Sequence, residues 1–136
     1  MKVVLDTNVL LVSISRKSSY FPIFDAFLNG SIQLCVTTDI LNEYAEMLSS
    51  KFHPNVMYNI MQAIEKSPDV HLITKYYNWR LIKNDPDDDK FVDCTVAANA
   101  DYLVTNDKHF NVLDSVIFPP VNLISVEEFL KKVKPS

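Results

Sequence analysis

The chain has 136 residues, 48% hydrophobic and 22% charged, with a net charge of −4. That length suits one domain, residues 1–136, able to bury about two-thirds of its unfolded surface, and no apolar run approaches the length of a membrane span. The negative balance argues against holding nucleic acid by overall charge, and a single glycine, Gly30, excludes a P-loop and a dinucleotide fingerprint, which need several.

The amino-terminal Met-Lys-Val-Val-Leu-Asp has no long apolar region of the kind a signal peptide carries, so a cytoplasmic location is the expectation. Cys35 and Cys94 lie far apart without a C-x-x-C partner and read as buried free thiols.

Residues 2–5 form an apolar run without alternation, which suits a strand covered on both faces. Asp6 leaves it at the carboxyl end. A helix is expected over 9–14, capped by Thr7 or Asn8, and the polar run 15–19 breaks it. Residues 22–28 read as a second helix, closed by Asn29 and Gly30. Residues 33–36 read as a second buried strand, and Thr38 or Asp39 caps a helix over 40–51. Ile40, Leu41, Tyr44, Met47 and Leu48 give that helix its apolar face, with Glu43 beside it. A dipole-favoured surface position explains Glu43 equally well at this point, and Glu46 more readily.

Residues 54–66 are expected to be helical and 70–73 to form a short strand, with 76–82 leading into the next helix. That helix starts with Asp85 as cap and Pro86 in its first turn, and runs to about residue 100. Asp89 and Asp93, four apart, share one face, while Phe91, Cys94, Ala97 and Ala98 line an apolar one. Capping and the helix dipole account for Asp85, Asp87 and Asp88, and they account for Asp89 as well as a site role does. Asp93 lies too deep for that argument, among Phe91, Val92 and Cys94, and a carboxylate there wants a cation.

Residues 103–105 read as a buried strand that delivers Asp107 just past its carboxyl end. A helical turn is expected over 108–113 and a last strand over 121–124. Ser125 followed by Glu128 is a capping box that opens a helix through 133. Strands alternating with helices predict a mainly parallel sheet with helices on both sides, a three-layer α/β/α domain. In that geometry Asp6 and Asp107 emerge at the same sheet edge, where open α/β sheets place ligands.

Converging carboxylates without cysteine or evident histidine ligands form a hard oxygen site, suited to Mg²⁺ or Mn²⁺ and less to Zn²⁺. Such ions activate water for attack on phosphorus. The run from Asp85 to Asp89 matches the start of an EF-hand loop, but Lys90 stands where glycine is needed and Val96 where an acid is needed. An aspartyl-phosphate site fails because Asn8 stands two residues after Asp6, and a serine hydrolase fails for want of G-x-S-x-G. His53, His71 and His109 read as surface or loop residues, with His109 near enough to Asp107 to meet a substrate phosphate.

Four segments carry a resemblance: Val-Val-Leu-Asp6-Thr-Asn8-Val-Leu, Ile-Leu-Asn-Glu43-Tyr-Ala-Glu-Met-Leu, Asp-Pro-Asp-Asp-Asp89-Lys-Phe-Val-Asp93 and Tyr-Leu-Val-Thr105-Asn-Asp107. In order and spacing they resemble the successive motifs of a PIN domain, in particular the subgroup described as toxins of toxin–antitoxin systems. The resemblance covers nearly the whole chain. It implies a PIN-like fold and a Mg²⁺- or Mn²⁺-dependent ribonuclease acting on single-stranded RNA. Asp6, Glu43, Asp93 and Asp107 match the family's acidic positions, Asp89 matches an extra acid, and Asn8 and Thr105 match polar positions that support the acids. Asn106 departs from the Gly or Arg of many members, which bears on substrate approach.

An antitoxin protein is the implied partner and a homodimer the implied assembly. For RNA contact the candidates are Arg16, Lys17, Arg80, Lys83, Lys90 and Lys108. The rival expectation is a catalytically inactive PIN-like domain that binds protein or RNA, which mutually repelling acids kept together disfavour.

Overall fold

The computed structural model of the chain describes residues 1–74, 78–82, 88–115 and 119–134. Five strands form one parallel sheet in the order β3-β2-β1-β4-β5: β1 (Lys2–Leu5), β2 (Gln33–Val36), β3 (Val70–Leu72), β4 (Tyr102–Val104) and β5 (Leu123–Ile124). Helices α1 (Thr7–Ser13), α2 (Phe21–Leu28), α3 (Thr38–Lys51), α4 (Pro54–Lys66), α5 (Asp89–Ala98) and α6 (Val126–Val133) cover both faces, as the alternation of strands and helices predicts. Parallel strands covered on both faces must be apolar throughout, and Val3, Val4, Leu5, Leu34, Cys35, Val36, Leu103 and Val104 are all buried. Cys35 and Cys94 are buried free thiols. Among the described residues no helix is long and apolar enough to cross a membrane.

The strand order creates an opening in the sheet's carboxyl edge. From β1 the chain moves outward to β2 and β3, then returns across β1 to β4. Between β1 and β4 the winding therefore reverses, and the loops leaving their carboxyl ends part to opposite sides. That opens a crevice there.

Helix starts differ from the sequence expectation in a consistent way. The first helix begins at Thr7, with Asp6 in the cap position and without a side-chain cap bond, so neither Thr7 nor Asn8 is its cap. The third begins at Thr38 because Thr37 Oγ1 accepts from Ile40 N–H at 3.3 Å, correcting the expected cap at Thr38 or Asp39. At α4, His53 Nδ1 accepts from Asn55 N–H at 3.1 Å, so this histidine caps a helix. Ser125 caps α6 as expected, accepting from Glu128 N–H at 3.2 Å.

The described part of α5 starts at Asp89 and ends at Ala98, two residues short of expectation, because Asn99 turns left-handed at φ 50° and stops it. The expected cap Asp85, the first-turn Pro86 and Asp87 lie outside the described residues, as does Lys83. The last two strands are also displaced or shorter than expected. Thr105 has left β4 and turned its hydroxyl toward Asp6, and β5 is limited to the two residues that pair with Leu103 and Val104. The turn after Asp107 is a 3₁₀ helix, Lys108–Ser115.

Candidate functional site

At the crevice between β1 and β4 lies a cleft of about 850 Å³ lined by Asp6, Glu43, Asp89, Asp93 and Asp107, together with Asn8. These acids come from the end of β1, from α3, from α5 and from the loop after β4. Chain segments distant in sequence thus deliver carboxylates to one place.

Each delivery has a local cause. Asp6 is the residue at which β1 ends and α1 begins, so its side chain leaves the sheet at the crevice. It is 6% exposed. On α3, Ile40, Tyr44 and Leu48 are the buried stripe, and Glu43, one turn after Ile40, falls on its rim facing the cleft. On α5, Phe91, Val92 and Cys94 are buried in the core and carry Asp93 down with them to 3% exposure. Tyr44 lies beneath the site, its hydroxyl donating to Leu5 C=O at 2.5 Å, and burial pushes its pKa well up.

The carboxylates are held by specific donors. Thr105 Oγ1 donates to Asp6 Oδ2 at 2.8 Å and in turn accepts from Asp107 N–H at 3.0 Å, so one hydroxyl links two of the acids. Thr7 donates its hydroxyl to Glu43 Oε2, and Lys90 Nζ lies 2.6 Å from Glu43 Oε1. Asp93 Oδ1 accepts from Trp79 N–H at 3.0 Å, and Asp89 Oδ1 from Ile82 N–H at 2.8 Å.

Burial raises the pKa of Asp6, the Thr105 hydrogen bond opposes that, and the neighbouring charges of Asp107 and Glu43 raise it further. Loss of the Thr105 hydroxyl should therefore disturb both acids. We expect Thr105→Val, which matches the volume but removes the donor and the acceptor, to cost about 1–3 kcal/mol in urea denaturation. It should also raise the Asp6 pKa further, read by NMR titration of the carboxyl carbon.

Several site residues escaped the sequence reading. Asp39, Asn42, Glu46, Asp88 and Asn78 also line the cleft. Asp39, Asn42, Glu43 and Glu46 recur at helical spacing, so the polar face of α3 carried the signal as plainly as its apolar face did. Asp88 corrects the expectation of a capping role: it makes no capping bond to α5, and its Oδ2 lies 3.8 Å from His109 Nδ1. His109 donates its backbone N–H to Asp107 Oδ1 at 2.9 Å, and its Nδ1 is 3.5 Å from the same oxygen. Asp88, Asp107 and His109 each offer one atom within 4.8 Å of the others, close enough to share a cation.

Of the basic candidates, Arg80 and Lys90 line the cleft, and Lys108 lines a smaller neighbouring one. Arg16 and Lys17 lie in the turn after α1. Asn106 turns away from the acids: its Oδ1 accepts from Val126 N–H at 2.9 Å and its Nδ2 donates to Glu127 Oε2 at 3.4 Å, fastening the β4 loop to α6.

The donor set fits a hard divalent cation. Among the described residues eight carboxylates and two basic side chains line the cleft, and the pKa of the buried Asp6 is raised in part by its acidic neighbours, a repulsion that a cation relieves.

A family model described as PIN domain matches residues 2–109. Two solved structures share the fold. The crystal structure of VapBC2 from Rickettsia felis, bound to a DNA fragment from their promoter, superposes with a TM-score of 0.61 at 17% identity, over 92% of this chain and 98% of that one. The T. brucei RRP44 PIN domain superposes with a TM-score of 0.51 at 10% identity, over 96% of this chain and 79% of that one. No curated protein matches the chain.

Proposed function

Because the chain belongs to the PIN domain family, whose members are generally nucleases, we propose that it is a divalent-metal-dependent ribonuclease that hydrolyses phosphodiester bonds of single-stranded RNA. The observation that carries the reading is the meeting of Asp6, Glu43, Asp93 and Asp107 in one cleft at the point where the sheet reverses its winding.

In this reading Asp6, Glu43, Asp93 and Asp107 hold Mg²⁺ or Mn²⁺. When bound, the ion supplies an activated water and offsets negative charge at the leaving oxygen. Thr105 orients Asp6 and ties Asp107 to the same frame. Thr7 and Lys90 orient Glu43. Asp89 is a further candidate ligand: its Oδ1 accepts from Ile82 N–H as Asp93 Oδ1 accepts from Trp79 N–H, and it lines the same cleft.

We further propose that the protein works as the toxin of a toxin–antitoxin pair, as its motifs suggest, in the cytoplasm and as one domain. The likeness to VapBC2 is the reason to look for a partner protein first.

The test is cleavage of an end-labelled single-stranded RNA by the purified chain. Mn²⁺ or Mg²⁺ should be required, and a chelator should stop the reaction. Cleavage that persists in chelator would sink the metal assignment. Absence of cleavage with either ion, while RNA is still bound, would favour an inactive binding module.

A further inference from the structure

The two basic side chains that line the acidic cleft differ in their engagement. Lys90 is paired with Glu43 at 2.6 Å. Arg80 makes no ion pair with any described residue, although eight carboxylates line the same cleft. An exposed arginine without a partner is ordinary, and by that alone Arg80 would mean little.

Its backbone is not ordinary. Arg80 stands at φ 54°, the left-handed region that favours glycine and strains a residue with a Cβ. The conformation is imposed from both sides. One residue before, Trp79 N–H is held by Asp93 Oδ1 at 3.0 Å, and two residues after, Ile82 N–H is held by Asp89 Oδ1 at 2.8 Å. Two acids one turn apart on α5 thus clamp the segment around Arg80 at the cleft. Glycine would fit that backbone without strain, so what the position gains from arginine resides in the side chain.

We infer that Arg80 grips a backbone phosphate of the RNA strand in the cleft, an inference that rests on the ribonuclease reading above. The chain carries net negative charge and the cleft is crowded with carboxylates, so a polyanion is repelled unless a cation meets it. A guanidinium offers a planar fork of donors that matches two phosphate oxygens at once, and it stays charged at every pH of interest. Lys90 is already committed to Glu43, which leaves Arg80 as the lining cation available to substrate. The clamp by Asp89 and Asp93 couples that contact to the acids, so the phosphate is registered against the hydrolytic residues.

The experiment is binding of a fluorescent single-stranded oligoribonucleotide, followed by anisotropy across a salt series. It uses the Asp6→Asn chain, to prevent cleavage, with Arg80 intact, Arg80→Gly or Arg80→Lys. Melting temperatures are recorded alongside. Arg80→Gly should weaken binding roughly ten- to hundredfold and lower the salt slope by about 0.7. Its melting temperature should hold or rise, since glycine relieves the strain. Arg80→Lys should recover part of the affinity. Unchanged affinity in Arg80→Gly, with the native chain still cutting RNA, overturns the inference and leaves the nuclease reading standing. A fall in affinity together with a fall in melting temperature overturns it in favour of a structural role. If the native chain neither binds nor cuts RNA, both readings fall.

Discussion

Asp6→Asn should reduce RNA cleavage by about 10²–10³-fold while raising the melting temperature at neutral pH. The two effects have one origin. Asp6 is buried, faces Asp107 and Glu43, and has its pKa raised from 3.8 chiefly by burial. At neutral pH its ionised form is therefore less favourable in the folded chain than in the unfolded one. Asparagine keeps the shape and still accepts from Thr105 Oγ1 through its own Oδ1, so only the charge is lost.

The pH dependence follows from the direction of the shift. A carboxyl group with a raised folded pKa contributes stability that is fully present below 3.8 and is lost as pH rises through the folded value. The native chain and Asp6→Asn should thus melt together at about pH 3.5 and separate as pH rises, the variant melting higher. Calorimetry of both chains without divalent metal checks this. Native-like cleavage by Asp6→Asn would remove Asp6 from the catalytic set, and a lower melting temperature at pH 7 would refute the electrostatic account.

Divalent metal should stabilise the native chain strongly. At Mn²⁺ a hundredfold above its dissociation constant, the gain is about 2.7 kcal/mol. For a chain of 136 residues that is a rise of about 10 °C in melting temperature. Lys90 tunes this response. Its ammonium sits 2.6 Å from Glu43 Oε1 and partly neutralises the carboxylate that the metal would use. Both side chains are partly solvent-exposed, so the pair is worth at most about 1 kcal/mol.

Lys90→Met should consequently melt slightly lower than the native chain without metal and bind Mn²⁺ about two- to fivefold more tightly. Thermal shift and isothermal titration report the two halves. Equal or weaker Mn²⁺ affinity in Lys90→Met would show that the ammonium does not compete for Glu43.

Much of the molecule was legible from local pattern. Strand β2 and helix α4 occur over the residues predicted, because an unbroken apolar run and a 3.6-residue stripe each suit one element. Helix starts moved where a neighbouring side chain proved the better acceptor, as with Thr37. Asp88 was legible only as a helix-start acid, since first-turn acids look alike whether they cap, complement the dipole or face a cleft. Arg80 stood in the sequence as one of six basic candidates for RNA contact, with nothing to set it apart from the other five. Its segment is irregular, and irregular backbone has no periodicity to read.

What the sequence by itself determined is most of the elements, the buried strands and Asp93 as an acid whose place needs a reason, while Glu43 joined Asp6, Asp93 and Asp107 only through the resemblance of its motif. Periodicity and capping are local, acting within a few residues, so they survive in one dimension. The tertiary structure alone decided that these acids meet, that Thr105 joins two of them, and that Asp89 and Asp93 clamp the chain at Arg80. Those facts depend on which strands lie side by side. The order β3-β2-β1-β4-β5 is set by packing of helices across the whole sheet, which no stretch of sequence carries by itself.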